Sequence, residues 1–259
     1  MEKGDSIVVI LEVNRLVQSY GGLNVLTELS FTLTAGEKAA IIGPNGAGKT
    51  TLFNVLSGVL SPSSGEIVFL GQDITHLPTE ARASLGLSRS FQISTLFPNL
   101  SVLTNVLLAI HGVQATRYDL FRPIAAYKDN IHRAQELLEL FNLWEKKDYP
   151  ISTLGHGEQR QIEIVLSLAS KPKLLLLDEP SAGLTSGESD KLIDMIHALV
   201  ANTTVLLSAH DMDLVFRLTE KVMVLYYGQI IAQGTPEEIQ DDPKVRDIYL
   251  GSEESAENA

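Results

Sequence analysis

The 259-residue sequence has no cysteine, one tryptophan and no long uninterrupted apolar run. Without cysteine there can be no disulfide framework and no thiol chemistry. No segment approaches the roughly 18 consecutive apolar residues that a membrane-spanning helix needs. The early run SIVVILEV follows an acidic start and is interrupted by Glu12, Asn14 and Arg15, so we do not expect a signal peptide. These absences predict a soluble intracellular protein.

Basic residues are also scarce. The chain has 20 Lys and Arg residues and 32 Asp and Glu residues, which gives a net charge of −12. A protein that coats nucleic acid needs a basic surface, so we expect no nucleic-acid partner. A small polyphosphate can still bind, because a local nest of backbone N–H groups does not depend on the overall charge. Hydrophobic residues make up 44%, which suits one large α/β domain or a core with an inserted subdomain.

The first part of the chain predicts strands, turns and two helices. Residues 6–40 contain strand-like runs separated by turn signals at Gly21-Gly22 and Ala35-Gly36. Residues 51–60 have a helical pattern that Gly58 and Pro62 end. A further strand follows in GEIVFLGQDI, and residues 79–86 predict a short helix.

The character changes at about residue 95. From 95 to 157 the apolar positions have helical spacing without a strong strand signal, which predicts an inserted helical subdomain. Strands and helices then alternate: KLLLLDE, GESDKLIDMIHALV, TTVLLSAH, DMDLVFRLT and a terminal hairpin in EKVMVLYYGQIIAQG. Such alternation predicts a mainly parallel sheet covered by helices. Residues 251–259 are expected to form a frayed acidic tail.

Residues 43–51, GPNGAGKTT, match the pattern G-x-x-x-x-G-K-[ST]. They follow an apolar strand and precede a helix, the context that distinguishes a phosphate-binding P-loop from a glycine-rich surface turn. Glycines let the backbone N–H groups turn toward phosphate oxygens. Lys49 is expected to reach the β- and γ-phosphates, and the Thr50 hydroxyl can bind Mg²⁺. The predicted contacts are Gly43, Pro44, Asn45, Gly46, Ala47, Gly48, Lys49, Thr50 and Thr51.

The run LLLLDEP (174–180) ends a buried strand with two adjacent carboxylates. The carboxyl ends of strands in α/β sheets are where ligands bind. We expect Asp178 to hold Mg²⁺ through water and Glu179 to polarise the attacking water. The alternative is a simple strand-end cap, which the presence of the P-loop disfavours.

Two further polar residues follow predicted core segments. His210 closes the strand TTVLLSAH, on the same predicted sheet edge as Asp178 and the P-loop. Gln92, in SRSFQISTLF, precedes the helical insertion and would be unremarkable from spacing alone. None of the six histidines has metal-ligand spacing with another.

Residues 154–159, LGHGEQ, precede a helical run and resemble an anion-binding helix start, with Gly155 where a hydroxyl would be most useful. Three interpretations are open: a working phosphate grip, a weakened one, or a turn.

The order of these motifs over about residues 7–250 resembles the ATP-binding cassette (ABC) family. The resemblance implies a single domain with a P-loop NTPase core, a mainly parallel sheet, an N-terminal antiparallel β subdomain and the inserted helices. It also implies that Tyr20 stacks on adenine, Thr50 and Gln92 coordinate Mg²⁺, Glu179 is the catalytic base and His210 contacts the γ-phosphate.

The family pattern further implies contacts between subunits. The signature residues, which would bind the ATP held by a second cassette, are Leu154, Gly155, His156, Gly157, Glu158 and Gln159. The segment ISTLFPNL would meet a coupling helix of an integral membrane permease, and we expect Leu96, Phe97 and Pro98 to be exposed there. The chain would then lie peripherally at the cytoplasmic face of the inner or plasma membrane.

Several stretches more closely resemble the ATPase subunits of bacterial branched-chain amino acid importers: SRSFQ, LFPNLSVLTNVLLA, HGEQRQIEI, SAHDMDLVF and GTPEEIQDDPKVRDIYLG. Urea importers and lipopolysaccharide exporters are near relatives of that group. Two positions depart from the family pattern, because Gly155 replaces the usual Ser and Thr185 stands where Asp is usual. A weakened signature favours a heterodimer with a second ABC ATPase, although a homodimer is possible.

Other functional classes fit less well. Soluble cassette proteins of DNA repair or the ribosome carry long coiled coils or tandem cassettes, and neither is present. A degenerate, non-hydrolysing module is disfavoured because Lys49, Asp178, Glu179 and His210 are all retained. A generic P-loop kinase gives no reason for Gln92 and the signature to lie where they do.

Overall fold

The computed structural model describes residues 8–90, 96–112, 128–199, 203–209 and 211–248. Its strands are β1 (Val9–Tyr20), β2 (Leu23–Thr34), β3 (Lys38–Ile42), β4 (Ser64–Phe69), β5 (Gln72–Asp73), β6 (Leu87–Ser90), β7 (Leu174–Asp178), β8 (Thr204–Ser208), β9 (Lys221–Tyr226) and β10 (Gln229–Gly234). Its helices are α1 (Lys49–Leu56), α2 (Thr79–Leu85), α3 (Val102–Gly112), α4 (Lys128–Leu140), α5 (His156–Leu168), α6 (Ser186–Leu199), α7 (Met212–Leu218) and α8 (Pro236–Asp241).

An antiparallel sheet in the order β2-β1-β4-β5 forms the first layer. Side chains along its strands point alternately to the inner and the outer face. Leu11 of β1 and Phe69 of β4 are cross-strand partners on the inner face, and both are fully buried. β1 continues to Tyr20, well beyond the run SIVVILEV, because a bulge around Arg15 (φ 44°) lets the chain stay paired past its polar interruption.

The central sheet has the order β10-β9-β3-β8-β7-β6. Neighbours from β9 to β6 are parallel, and only β10 is antiparallel to its partner. β7 and β8 are buried at every position, as expected for strands covered on both faces. The prediction of a mainly parallel sheet with an N-terminal antiparallel subdomain is therefore confirmed.

Alternate residues of the central strands separate two cores. Ala39 and Ile41 of β3 pack toward the antiparallel sheet and α1, whereas Ala40 and Ile42 pack toward the helical layer. Helices α3, α4 and α5 belong to that second core, between β6 and β7 in the chain. The expected helices are thus present. The predicted limits of the whole domain (7–250) and of the helical subdomain (95–157) stay predictions. The predicted acidic tail, 251–259, lies outside the described residues.

Two elements were not predicted. β6 is a four-residue edge strand with the sequence LSRS, too short and too polar to give a strand pattern. α8 begins with Pro236 at its first turn and is capped by Thr235 and Glu238, although its six residues are too few to give a helical apolar pattern. Among the described residues, no helix has the length and apolar character needed to cross a membrane.

Candidate nucleotide-binding site

The glycine-rich loop joins β3 to α1, as predicted. Gly43, Gly46 and Gly48 all have positive φ, at 154°, 82° and 109°, so the expected backbone turn is confirmed. Gly43 also permits a close approach, because a Cβ there would lie 2.1 Å from the Leu225 carbonyl oxygen. The loop is tied to the β9–β10 turn, since the Gly228 N–H donates to the Ala47 carbonyl at 3.0 Å. The remaining loop residues, Pro44 and Asn45, are half-buried and exposed respectively.

Lys49 is buried at the start of α1. Its Nζ donates to the carbonyl oxygens of Gly43 at 2.5 Å and Pro44 at 3.1 Å, so the ammonium lies within the loop. Burial lowers the pKa of Lys49, and the nearby carboxylates of Glu179 and Asp178 partly offset that effect. The next residues, Thr50 and Thr51, are exposed and half-buried on the first turn of the helix.

Asp178 ends β7 and is fully buried, with both carboxylate oxygens hydrogen-bonded. Ser208, at the end of the adjacent strand β8, donates to Oδ1 at 2.6 Å. Arg89 of β6 donates from Nη2 to Oδ2 at 2.8 Å. Sequence reasoning identified neither partner, because β6 was not recognised and a serine at a strand end gives no signal by itself.

Glu179 follows in the left-handed region at φ 46°, which is unusual for a residue with a side chain. Its N–H donates to the Ser208 carbonyl and hydroxyl oxygens, each at 3.1 Å. Such a conformation costs on the order of 1–3 kcal/mol and persists only where surrounding contacts impose it. Residues held in this way cluster at active sites, and the catalytic role of Glu179 stays a prediction.

Arg160 of α5 supplies part of that restraint. Its Nη2 donates to the carbonyl oxygens of Asp178 at 2.9 Å and Glu179 at 3.0 Å. Its Nε donates to the Pro180 carbonyl at 3.3 Å, and Nη1 pairs with Glu163 at 2.7 Å. The first turns of α5 are therefore attached directly to the backbone around the two acidic residues.

The predicted signature forms the start of α5. Gly155 is the N-cap in the extended conformation (φ −65°, ψ 158°), and as a glycine it has no side chain that could accept a hydrogen bond from the first turn. Its own N–H donates to Glu158 Oε2 at 3.3 Å. Leu154 is buried beneath the turn and its carbonyl accepts from Gln159 Nε2 at 3.0 Å. His156 and Gln159 line a cavity of about 270 Å³ together with Glu179.

Gly157, in the first turn of α5, lies against the start of α6. A Cβ at this position would be 2.2 Å from Oε1 of Glu188. The other oxygen of that carboxylate accepts from the N–H and hydroxyl of Thr185, at 2.9 and 2.8 Å. A side chain at position 157 would therefore displace the end of the Glu188 side chain, a contact that the sequence did not reveal.

Tyr20 ends β1 with 48% of its surface exposed and is followed by the predicted Gly21-Gly22 turn, where both φ values are positive. The turn leads into β2, and β2 borders the P-loop because a Cβ on Gly48 would lie 2.9 Å from the Val25 carbonyl. Tyr20 therefore lies at the exposed end of the β1–β2 hairpin, whose second strand borders the P-loop. Gln92 and His210 lie outside the described residues, and their predicted roles stay predictions.

The loop before α3 corrects one expectation. Leu96 is buried at 8% exposure in the helical core, whereas Phe97 is 55% exposed. The loop is held by the buried Asn105, whose Oδ1 accepts from the Phe97 N–H at 2.8 Å and whose Nδ2 donates to the Ser101 carbonyl at 2.9 Å. Leu96 was expected to be exposed because it lies in an apolar surface segment, but it fills the core beneath that segment.

A comparison with family profiles decides the class of the protein. The profile described as "ABC transporter" matches residues 26–182, from β2 through the P-loop to the residues just after Glu179. The chain belongs to the ABC transporter family. A second profile, "Branched-chain amino acid ATP-binding cassette transporter", matches residues 229–255 of this ABC ATPase. As a member of the family the chain is an ATP-hydrolysing subunit of a transporter.

Relatives with curated names resemble this ABC ATPase over nearly their whole length. The "High-affinity branched-chain amino acid transport ATP-binding protein LivG" of Escherichia coli (strain K12) is 38% identical, over 93% of this chain and 98% of its own. The corresponding protein BraF of Pseudomonas aeruginosa is also 38% identical, with the same coverage. Among solved structures, the ADP conformation of the ABC cassette MJ1267 superposes with a TM-score of 0.85 at 30% identity, covering 94% of this chain and 99% of that one.

Proposed function

We propose that this ABC ATPase hydrolyses MgATP at a dimer interface to drive a membrane permease that imports branched-chain amino acids. The observation that carries the substrate assignment is the match of residues 229–255 to the branched-chain profile. That segment lies beyond the general ABC match, which ends at residue 182, so it adds information that the nucleotide site does not contain. The names of LivG and BraF support the same assignment.

The geometry suits ATP hydrolysis with Mg²⁺. Among the described residues no cluster of three His, Asp or Glu side chains could cage a metal ion. Mg²⁺ is usually held by one or two carboxylates together with phosphates and water, so the Thr50 hydroxyl, Asp178 through water, and Gln92 are sufficient ligands. The metal would neutralise charge that develops on the phosphates.

The other roles in nucleotide binding and catalysis are assigned to individual residues of the chain. The P-loop N–H groups and Lys49 bind the β- and γ-phosphates, and Tyr20 stacks on adenine. Glu179 orients and polarises the attacking water, and His210 contacts the γ-phosphate. Hydrolysis transfers the terminal phosphoryl group of ATP to that water and leaves ADP and phosphate. Positioning and electrostatic stabilisation therefore account for the catalysis.

The ATP site is completed by the signature of a second ABC ATPase. Gly155 removes a hydroxyl from this chain's signature, so a heterodimer would pair one weaker composite site with one complete site. The proposed permease contact is the loop that Asn105 holds. There Phe97 and Leu100 expose 55% and 38% of their surfaces, and Tyr149 on the hydrogen-bonded neighbouring segment exposes 54%. Large apolar residues grouped on a surface mark an interaction site. Docking there would place the chain at the cytoplasmic face of the membrane.

Uptake in the native host tests the proposal. Deletion of the gene should abolish high-affinity uptake of labelled leucine, isoleucine and valine, and the wild-type gene should restore it. The Glu179→Gln variant should assemble and bind ATP but not restore uptake, because loss of a general base lowers turnover by about 10²–10⁴-fold. Unchanged amino acid uptake, with a defect instead in urea uptake or lipopolysaccharide export, would overturn the substrate assignment and leave the ATPase assignment intact.

A further inference from the structure

Arg89 connects three elements at the centre of the nucleotide site. Its Nη2 donates to Asp178 Oδ2 at 2.8 Å, and its Nη1 donates to Asn54 Oδ1 at 2.8 Å and Ser57 Oγ at 3.0 Å. The guanidinium lies 5.8 Å from the centroid of the Phe53 ring. One side chain of β6 thus joins the end of β7 to the helix that follows the P-loop.

The ion pair is shielded from water, with side-chain exposures of 6% for Arg89 and 1% for Asp178. A buried charge is costly unless its partner has good geometry and its other hydrogen bonds are also satisfied. Arginine suits this position because its donors form a rigid planar fork, in which Nη2 holds the carboxylate and Nη1 holds the amide and hydroxyl oxygens. A lysine offers a single point charge and cannot span both.

Each carboxylate oxygen has two acceptor positions. In Asp178, Arg89 uses one position on Oδ2 and Ser208 uses one on Oδ1. In the proposed scheme, the remaining acceptor capacity of the carboxylate takes water bound to the metal ion. The two donors also fix the plane of the carboxylate relative to Thr50, because Arg89 contacts the same helix that carries this residue.

We propose that Arg89 is a positioning residue that fixes the Asp178 carboxylate against α1 so that Mg²⁺ and ATP bind together. The inference rests on the proposed function, which places the metal between Thr50 and Asp178. Arg89 does not contact the nucleotide in this scheme. Its removal should therefore weaken the contribution of Mg²⁺ to nucleotide binding and leave metal-free binding unaltered.

The test compares binding of a fluorescent ATP analogue in saturating Mg²⁺ and in EDTA. In Arg89→Met the Kd in EDTA should stay within twofold of wild type, while the strengthening by Mg²⁺ should fall about 10-fold or more, as expected for loss of a charged hydrogen bond. If Arg89→Met does not fold, Arg89→Lys serves instead. It keeps the charge but not the fork, and its half-saturating Mg²⁺ concentration should rise at least threefold.

Arg82→Lys is the matched control. Arg82 is also buried, at 1% exposure, and donates to the carbonyls of Val55 and Leu56 at the end of α1. Its replacement should lower the melting temperature without changing the Mg²⁺ dependence. An equal shift in this control, or no shift in either Arg89 variant, would overturn the inference.

Asp178→Asn distinguishes the positioning role of Arg89 from the proposed Mg²⁺ site itself. A shifted Mg²⁺ dependence in Asp178→Asn together with an unchanged one in the Arg89 variants would overturn the role of Arg89 alone. No shift in Asp178→Asn would overturn the metal assignment itself.

Discussion

Arg160 Nη2 donates to the carbonyl oxygen of Glu179 at 3.0 Å, so the helix that begins with the signature holds the backbone of the proposed catalytic base. Glu179 has a left-handed backbone, and this contact helps to keep it there. Arg160→Ala removes charged donors to three consecutive carbonyls, at Asp178, Glu179 and Pro180. We expect kcat to fall about 10–100-fold, with a much smaller change in the Kd for ATP.

The control for Arg160 is Glu163→Gln, which removes the ion pair of Arg160 but leaves its backbone contacts possible. Steady-state kinetics should show a smaller loss of kcat in this variant than in Arg160→Ala. Equal losses would mean that charge balance at α5, and not the hold on Glu179, matters for turnover.

Gly157 and Glu188 provide a second prediction. A methyl group at Gly157 would displace the Glu188 carboxylate, which accepts two hydrogen bonds from Thr185. Because the displaced carboxylate is the end of a flexible side chain, Gly157→Ala should lower the melting temperature and the ATPase activity only modestly. Glu188→Ala in the same chain removes the obstacle, so the double variant should recover part of the loss in a double-mutant cycle. Strictly additive losses would show that the methyl group acts elsewhere.

Much of this arrangement was predictable from local patterns. The P-loop glycines, the alternation of strands and helices and the acidic pair after β7 follow from short-range rules, and their placement at one sheet edge follows from parallel topology. Arg89, Ser208 and Arg160 could not be found in this way, because each acts through contacts between residues distant in sequence. Leu96 shows the same limit, since its apolar character is compatible with either a surface patch or a core, and only packing decides.

The adenine contact predicts a difference between two substitutions at Tyr20. The side chain is 48% exposed and has room to stack on a base. An aromatic stack is worth roughly 1 kcal/mol, so Tyr20→Ala should raise the KM for ATP about fivefold with a smaller effect on kcat. Tyr20→Phe keeps the ring and should behave as wild type. Equal effects of both changes would indicate a hydroxyl contact in place of stacking.

Phe97 tests the contact with the permease. Because its side chain is 55% exposed, Phe97→Glu should leave folding and the ATPase activity of the purified chain unchanged. Stimulation by the reconstituted permease should be lost. Leu96→Glu is the contrasting control, because it places a charge in the helical core and should unfold the chain. Full permease stimulation of Phe97→Glu would place the interface elsewhere.

Gly155 decides whether the signature is a weakened phosphate grip. The helix that it caps still presents backbone N–H groups and the positive end of its dipole to an anion. The missing hydroxyl matters little as a cap, because Gly in place of Ser at an N-cap costs only a few tenths of a kcal/mol. As a donor to a charged phosphate oxygen it is worth about 1.5–3 kcal/mol, or roughly 10–100-fold in affinity. The phosphate contribution therefore dominates.

The structure permits a clean substitution at this position. A Cβ on Gly155 would meet no atom within 4 Å, and the extended backbone suits any residue. In the purified chain, where a homodimer would have two weakened sites, Gly155→Ser should raise ATPase activity several-fold with little change in melting temperature. Gly155→Ala adds the same Cβ without the hydroxyl and should not raise activity. If serine and alanine behave alike at every ATP concentration, the hydroxyl does not limit hydrolysis and the signature no longer favours a heterodimer.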